Sequence, residues 1–148
     1  MTSAFAQPTL RLTESQYATI VGHCYDGLPD EACGLLVGPM TGGGEPTGTI
    51  TEARPCRNAD ASAITYTVDP RDMLAAMRAA EANGNEIVGV WHSYTHTDAY
   101  PSPTDVRQAV DPAWFYVLVS LRDGAPVLRS YRIRDERIAE VAVALDRG

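Results

Sequence analysis

The sequence predicts a mixed α/β domain in which helices pack on a central sheet. Three observations carry that expectation. Short apolar runs bounded by glycine or proline, "EACGLLVG", "EIVGVWH" and "WFYVLVSL", read as buried strands. Two longer stretches repeat their apolar residues at helical spacing and carry capping residues. The chain has 148 residues, 45% hydrophobic and 21% charged, enough for a core without disulfide support. No internal repeat or second domain is visible, so residues 1–148 are read as a single domain.

Each element has a local reason. In "TLRLTESQYATIVGHCYDGLP" a short strand leads into a helix. Thr13 is its expected N-cap, Tyr17, Ile20, Val21 and Cys24 mark its face, and Gly27 and Pro29 stop it. "EACGLLVG" is the next strand, "PMTGGGEPTG" a hairpin tip, and "TITEARPC" the returning strand. The triple glycine lacks the Gly-Lys-Ser/Thr ending of a phosphate loop, and no helical pattern follows it. "ITYTVDP" opens with strand-like alternation. Asp69 and Pro70 then supply an N-cap and an N1 proline, and Leu74, Met77 and Arg78 with several alanines carry the helix to Gly84. "EIVGVWH" is a buried strand, and Thr104 to Val110 a short helix. "WFYVLVSL" and "VLRSYRIRD" form an antiparallel hairpin about "RDGAP". "RIAEVAVAL" fits either a strand or a terminal helix.

Composition excludes several functions. A net charge of −7 with no lysine argues against nucleic-acid binding. No apolar run approaches the roughly 20 residues that cross a bilayer. "MTSAFAQPTLRLT" shows neither a basic leader nor an apolar h-region, so a cytoplasmic location is expected. Cys24, Cys33 and Cys56 show no CxxC spacing and are read as small, reduced residues in or near the core.

The chemistry concentrates in "GVWHSYTHTDAYPSPTDV". Side chains at i and i+2 of a strand share a face, so positions 92 and 94 are the natural pair to hold a metal from one strand. Asp105, at the start of the short helix, can fold back as a third ligand, leaving a position for water. Glu31, at the mouth of "EACGLLVG", is the best base for that water's proton. Each residue also has a structural reading. Glu31 suits a solvated turn, Ser102 and Asp105 suit a helix cap, and His92 suits a hydrogen-bonded core histidine. His23 lacks such company and is read as structural or surface.

The order Glu31, His92-Ser93, then Ser102-Pro103-Thr104-Asp105 resembles the JAMM (MPN+) metalloprotease family. Its signature is an upstream Glu, then His-x-His, then Ser-x-x-Asp. "CRNADASAITYTVDP" and "WFYVLVSLRDGAPVLRSYRI" extend the resemblance over nearly the whole chain. It is nearest to the bacterial branch serving sulfur metabolism and cysteine biosynthesis. The resemblance implies a JAMM/MPN-like single domain with a mostly antiparallel central sheet flanked by helices. It implies zinc as the metal, with His92 and Asp105 as ligands, Glu31 as general base and Ser102 holding the oxyanion. It implies, as substrate, a ubiquitin-like sulfur carrier protein cut at the amide after its C-terminal Gly-Gly, where a new cysteine is attached. The "MTGGGEPTG" loop is then a flap over the carrier tail, and a homodimer is a natural assembly.

The sequence departs from the family at the second histidine, where Tyr94 stands. Three readings follow. His96 takes the ligand's place, which requires a sharp bend after Ser93 because four strand residues span roughly 13 Å. Tyr94 ligates as a phenolate, although tyrosine is not among the usual zinc ligands. In the third, the metal site is lost and the protein binds the same carrier without cleaving it. A nucleoside deaminase of similar layering would need a Pro-Cys-x-x-Cys segment, which the chain lacks.

Overall fold

The computed structural model describes residues 8–109 and 111–147. Residues 1–7 and Val110, the expected end of the short helix, lie outside them. Strand β1 (Leu10–Thr13) leads into helix α1 (Glu14–Gly27) through a capping box. The Thr13 hydroxyl accepts the Gln16 N–H at 3.0 Å, and the Gln16 side chain accepts the Thr13 N–H at 2.9 Å. Strands β2 (Cys33–Gly38) and β3 (Glu52–Cys56) form the expected hairpin. Asp69 caps helix α2 (Pro70–Ala82), which stops before Gly84 at φ 70°, a left-handed position that suits glycine. Then follow β4 (Glu86–Tyr94), α3 (Pro103–Gln108), β5 (Phe115–Ser120), β6 (Val127–Arg134), β7 (Arg137–Val141) and β8 (Val143–Asp146). "RIAEVAVAL" is therefore strand.

Six strands form one sheet in the order β3-β2-β4-β5-β6-β7, and β8 pairs with β1 in a separate parallel ribbon. Only β4 and β5 run parallel within the large sheet; its other neighbours are antiparallel. A parallel pair needs a crossover, and residues 95–114 supply it. That connection carries α3.

Alternation divides the core between the two faces. Leu10, Leu12, Ile20 and Cys24 pack with Leu36, Trp91, Phe115 and Val117 on the α1 side. Ala76 of α2 packs with Cys33, Leu35, Val90, Tyr116 and Ile133 on the other. The β2–β4 register shifts so that Leu36 pairs with Gly89 and Val37 with Ile87, skipping Val88. This irregularity resets the alternation of β4. Trp91 consequently faces α1, and His92 follows Val90 onto the α2 side.

Three expectations are corrected here. "ITYTVDP" forms no strand; it makes only one bridge, between Asn58 and Val68. Leu74 and Met77 do not anchor α2, since they are 47% and 48% exposed. The small Ala76 and Ala80 are its buried residues, so the helix lies close to the sheet. The "MTGGGEPTG" loop is not a flap over the site. It leaves β2 at Gly38, whereas Cys33 at the other end pairs with His92, placing the loop roughly 17–20 Å away along the strand. Among the described residues no helix is long and apolar enough to cross a membrane.

Gly34 is required by close approach. A Cβ there would lie 2.1 Å from the Trp91 indole and 2.6 Å from the Arg54 carbonyl oxygen. Gly34→Ala is expected to lower unfolding stability by about 1–3 kcal/mol in urea titrations. Gly42→Ala, where a Cβ meets open space, serves as the control; equal midpoints for the two variants would refute the packing argument.

Burial raises all three thiols, Cys24 and Cys33 to about 12 and Cys56 to about 11. A thiol reagent at pH 8 is expected to label none in the native protein and all three free cysteines in denaturant. Rapid native labelling would contradict this burial.

Candidate active site

Three separate segments converge at the C-terminal end of β4. Glu31 arrives at the start of β2, with its N–H donated to the Ser62 carbonyl at 2.8 Å. The Asn58 amide donates to the Glu31 carbonyl at 3.0 Å and ties this turn to the connection before α2. Asp105 arrives in the first turn of α3, whose capping box holds it. The Ser102 hydroxyl accepts the Asp105 N–H at 3.1 Å, and Asp105 Oδ2 accepts the Ser102 N–H at 2.9 Å.

Between these carboxylates lies the His92 ring. Its Nδ1 is 3.3 Å from Glu31 Oε1, and its Nε2 is 3.2 Å from Asp105 Oδ1. The Nδ1 contact is close but poorly aligned, leaving that buried atom without a hydrogen bond. Burial works to lower the His92 pKa, but the Asp105 and Glu31 carboxylates outweigh it and raise it to about 9. Burial likewise works to raise Asp105, yet His92, Tyr94 and the Ser102 N–H hold its pKa below the ordinary carboxylate value. Tyr66 stacks on the imidazole at 4.1 Å between ring centres.

Two contributors to this arrangement had no role assigned from the sequence. Ser93 is fully buried and its hydroxyl accepts the Ala32 N–H at 2.9 Å, fixing the residue next to Glu31. A serine inside an apolar strand between two site positions was the available signal. Tyr66 gave none beyond its place in an alternating segment. His23 has a structural role, with Nε2 3.0 Å from the Cys56 carbonyl and its ring edge-on to Trp91.

Tyr94 shares the His92 face, as i+2 spacing requires. Its hydroxyl donates to Asp105 Oδ2 in a close contact and accepts the Ser102 N–H at 3.0 Å. Burial and the hydrogen bond to Asp105 both push the Tyr94 pKa upward, so the phenol stays protonated. Tyr94, Glu31, Ile64, His96, Tyr100 and Ser102 are among the walls of an open cleft of about 450 Å³. His92 and Asp105 instead border a separate void of about 20 Å³, beside Tyr66 and Tyr116. Tyr94 lines the cleft and touches both of these groups, through its hydroxyl to Asp105 and edge-on to the His92 ring. His96 lies past the end of β4 on the cleft wall, apart from His92 and Asp105.

Comparison with known proteins shows the family. The family described as prokaryotic homologs of the JAB domain matches residues 13–134. The chain belongs to this family. A Mycobacterium tuberculosis protein named CysO-cysteine peptidase is 43% identical over 125 residues, covering 84% of this chain and 82% of its own. A Haloferax volcanii protein named desampylase is 29% identical over 142 residues, covering 93% and 96%. The solution structure of a Desulfitobacterium hafniense protein superposes with a TM-score of 0.81 at 33% identity, covering 93% of both chains.

The metal implied for a JAB-type site can be tested against these donors. The 3.2 Å between His92 Nε2 and Asp105 Oδ1 matches two ligands on one tetrahedral zinc, each about 2.0–2.2 Å from the ion. The third donor fails. The Tyr94 hydroxyl spends its proton on Asp105 and accepts the Ser102 N–H, and His96 lies on the cleft wall past the end of β4. Among the described residues no group of three His, Cys, Asp or Glu side chains is arranged to hold a metal. The residues present do not fit a three-ligand zinc site.

Removing the Ser93 hydroxyl would leave the buried Ala32 N–H unpaired. Ser93→Ala is therefore expected to cost about 1–3 kcal/mol, read from denaturant midpoints. An unchanged midpoint would show that the Ala32 contact does not hold the Glu31 turn.

Proposed function

We propose that this chain binds the C-terminal tail of a ubiquitin-like sulfur carrier protein at a JAB-type peptidase site whose hydrolysis Tyr94 suppresses. The bond the site is shaped for is the amide after the carrier's Gly-Gly, with cysteine as the attached group. Support comes from the mycobacterial relative and from the convergence of Glu31, His92, Ser102 and Asp105. An extended tail with two glycines lets its backbone come close to Glu31 and Ser102, since neither glycine adds a side chain. In a site with its full donor set, His92 and Asp105 would hold zinc and Glu31 would serve as general base. The capped Ser102 retains a hydroxyl hydrogen to donate to a carbonyl oxygen.

One observation carries the suppressed state. The Tyr94 phenol lines the cleft and is hydrogen-bonded both to Asp105, one of the two remaining metal donors, and to the Ser102 N–H.

The deciding experiment measures zinc content and cysteine release from a carrier–cysteine adduct, for this chain and for Tyr94→His. The parent chain is expected to hold little zinc and to bind the adduct intact. The variant is expected to take up zinc in equimolar amount and to release cysteine at least ~100-fold faster. Equimolar zinc in the parent with cleavage at the variant's rate would establish Tyr94 as a working ligand and overturn suppression. Failure of both forms to bind carrier would overturn the choice of substrate.

A further inference from the structure

His96 was considered as a replacement ligand, and the structure leaves it free for another task. Its side chain is exposed on the wall of the 450 Å³ cleft, and no hydrogen bond or ion pair engages it among the described residues. Of the side chains lining that cleft, only His96 offers a basic nitrogen; two others, Glu31 and Asp98, are carboxylates. Two arginines of the adjoining surface already carry acid partners. Arg122 lies 2.8 Å from Asp98, and Arg129, in an adjoining cleft, lies 2.9 Å from Glu140.

Resting on the carrier-tail reading above, we infer that His96 recognises the free α-carboxylate of the amino acid attached to the carrier's terminal glycine. The chemistry of that adduct sets the requirement. Beyond the scissile amide lie only the Cα and side chain of one residue and then its carboxylate. A conjugate through a lysine side chain presents no such charge at that distance. His96 follows Tyr94 by two residues, at most about 7 Å of chain, which is the reach of a group one residue beyond the amide. An imidazole donates an N–H whether neutral or protonated, and a hydrogen bond to an ionised acceptor is stronger than one to a neutral acceptor. Asp98 does not oppose this, since its charge is paired with Arg122. The site is thereby selective for carrier–amino acid adducts over carrier–protein conjugates.

The test is calorimetric titration of the chain with three forms of CysO, the partner named for the mycobacterial relative. One ends in Gly-Gly, one carries a terminal cysteine with its free carboxylate, and one carries the same cysteine as its carboxamide. Mass spectrometry after titration verifies that each is intact. The free acid is expected to bind about tenfold more tightly than the carboxamide. His96→Ala is expected to abolish that ratio while leaving the Gly-Gly form's affinity unchanged. His96→Gln, which keeps an N–H donor, should restore part of the ratio. Equal affinity of acid and carboxamide for the parent chain, or a ratio that survives His96→Ala, would overturn the assignment while leaving tail binding intact. Absence of binding by all three forms would overturn the carrier-tail reading and this inference with it.

Discussion

The site depends on one buried imidazole between two carboxylates. Glu31 and Asp105 come from segments 74 positions apart in the chain, and each would resist burial as an isolated anion. No arginine ion-pairs with either among the described residues; the salt-bridge partner of both is His92. The ring therefore serves as counter-ion for both acids, which is why its pKa rises despite complete burial. Removing either acid would leave the imidazolium half-compensated, and removing the ring would set two carboxylates against each other. Tyr66, stacked on the ring, and Ser93, bonded to Ala32, hold this geometry from the two faces of the sheet.

The sheet makes that meeting possible through its one parallel pair. Had β5 followed β4 in a tight antiparallel hairpin, nothing would return across the end of β4. Parallel pairing instead obliges residues 95–114 to travel back along the sheet, and the first structured part of that path is α3. Its cap delivers Asp105 to His92. The skipped Val88 has an equally direct consequence, because a one-residue change of register moves each following side chain to the opposite face. It puts Trp91 against Gly34 and α1, and His92 against Tyr66 and α3.

Much of this was legible in the sequence, for identifiable reasons. Capping residues at Thr13 and Asp69 and glycines at element ends have local meanings that survive folding. The meeting of Glu31, His92 and Asp105 was legible only through a resemblance, because nothing local tells Glu31 which distant residue it faces. Three features escaped for equally physical reasons. Alternation in "ITYTVDP" could not reveal that the segment finds no strand partner beyond the Asn58–Val68 bridge. Apolar spacing marked Leu74 and Met77 as members of α2 but could not show that the small Ala76 and Ala80 make its buried face. The glycine loop looked functional by composition, but strand direction places it at the wrong end of β2.

Tyr94 shows why a ligand position is not a matter of polarity alone. An imidazole is shorter and offers a ring nitrogen lone pair. The phenol is longer and carries its oxygen at the tip, so it reaches the carboxylate and donates a proton to it. That hydrogen bond engages the carboxylate on the side of α3 where Ser102 also donates to it, and the ring lines the cleft. The cleft walls, with Glu31, Ser102 and His96, are left standing. Under the function proposed above, Glu31 and Ser102 serve both recognition of a tail and cleavage of its last bond, His96 serves recognition alone, and a change at position 94 bears on the metal donors His92 and Asp105.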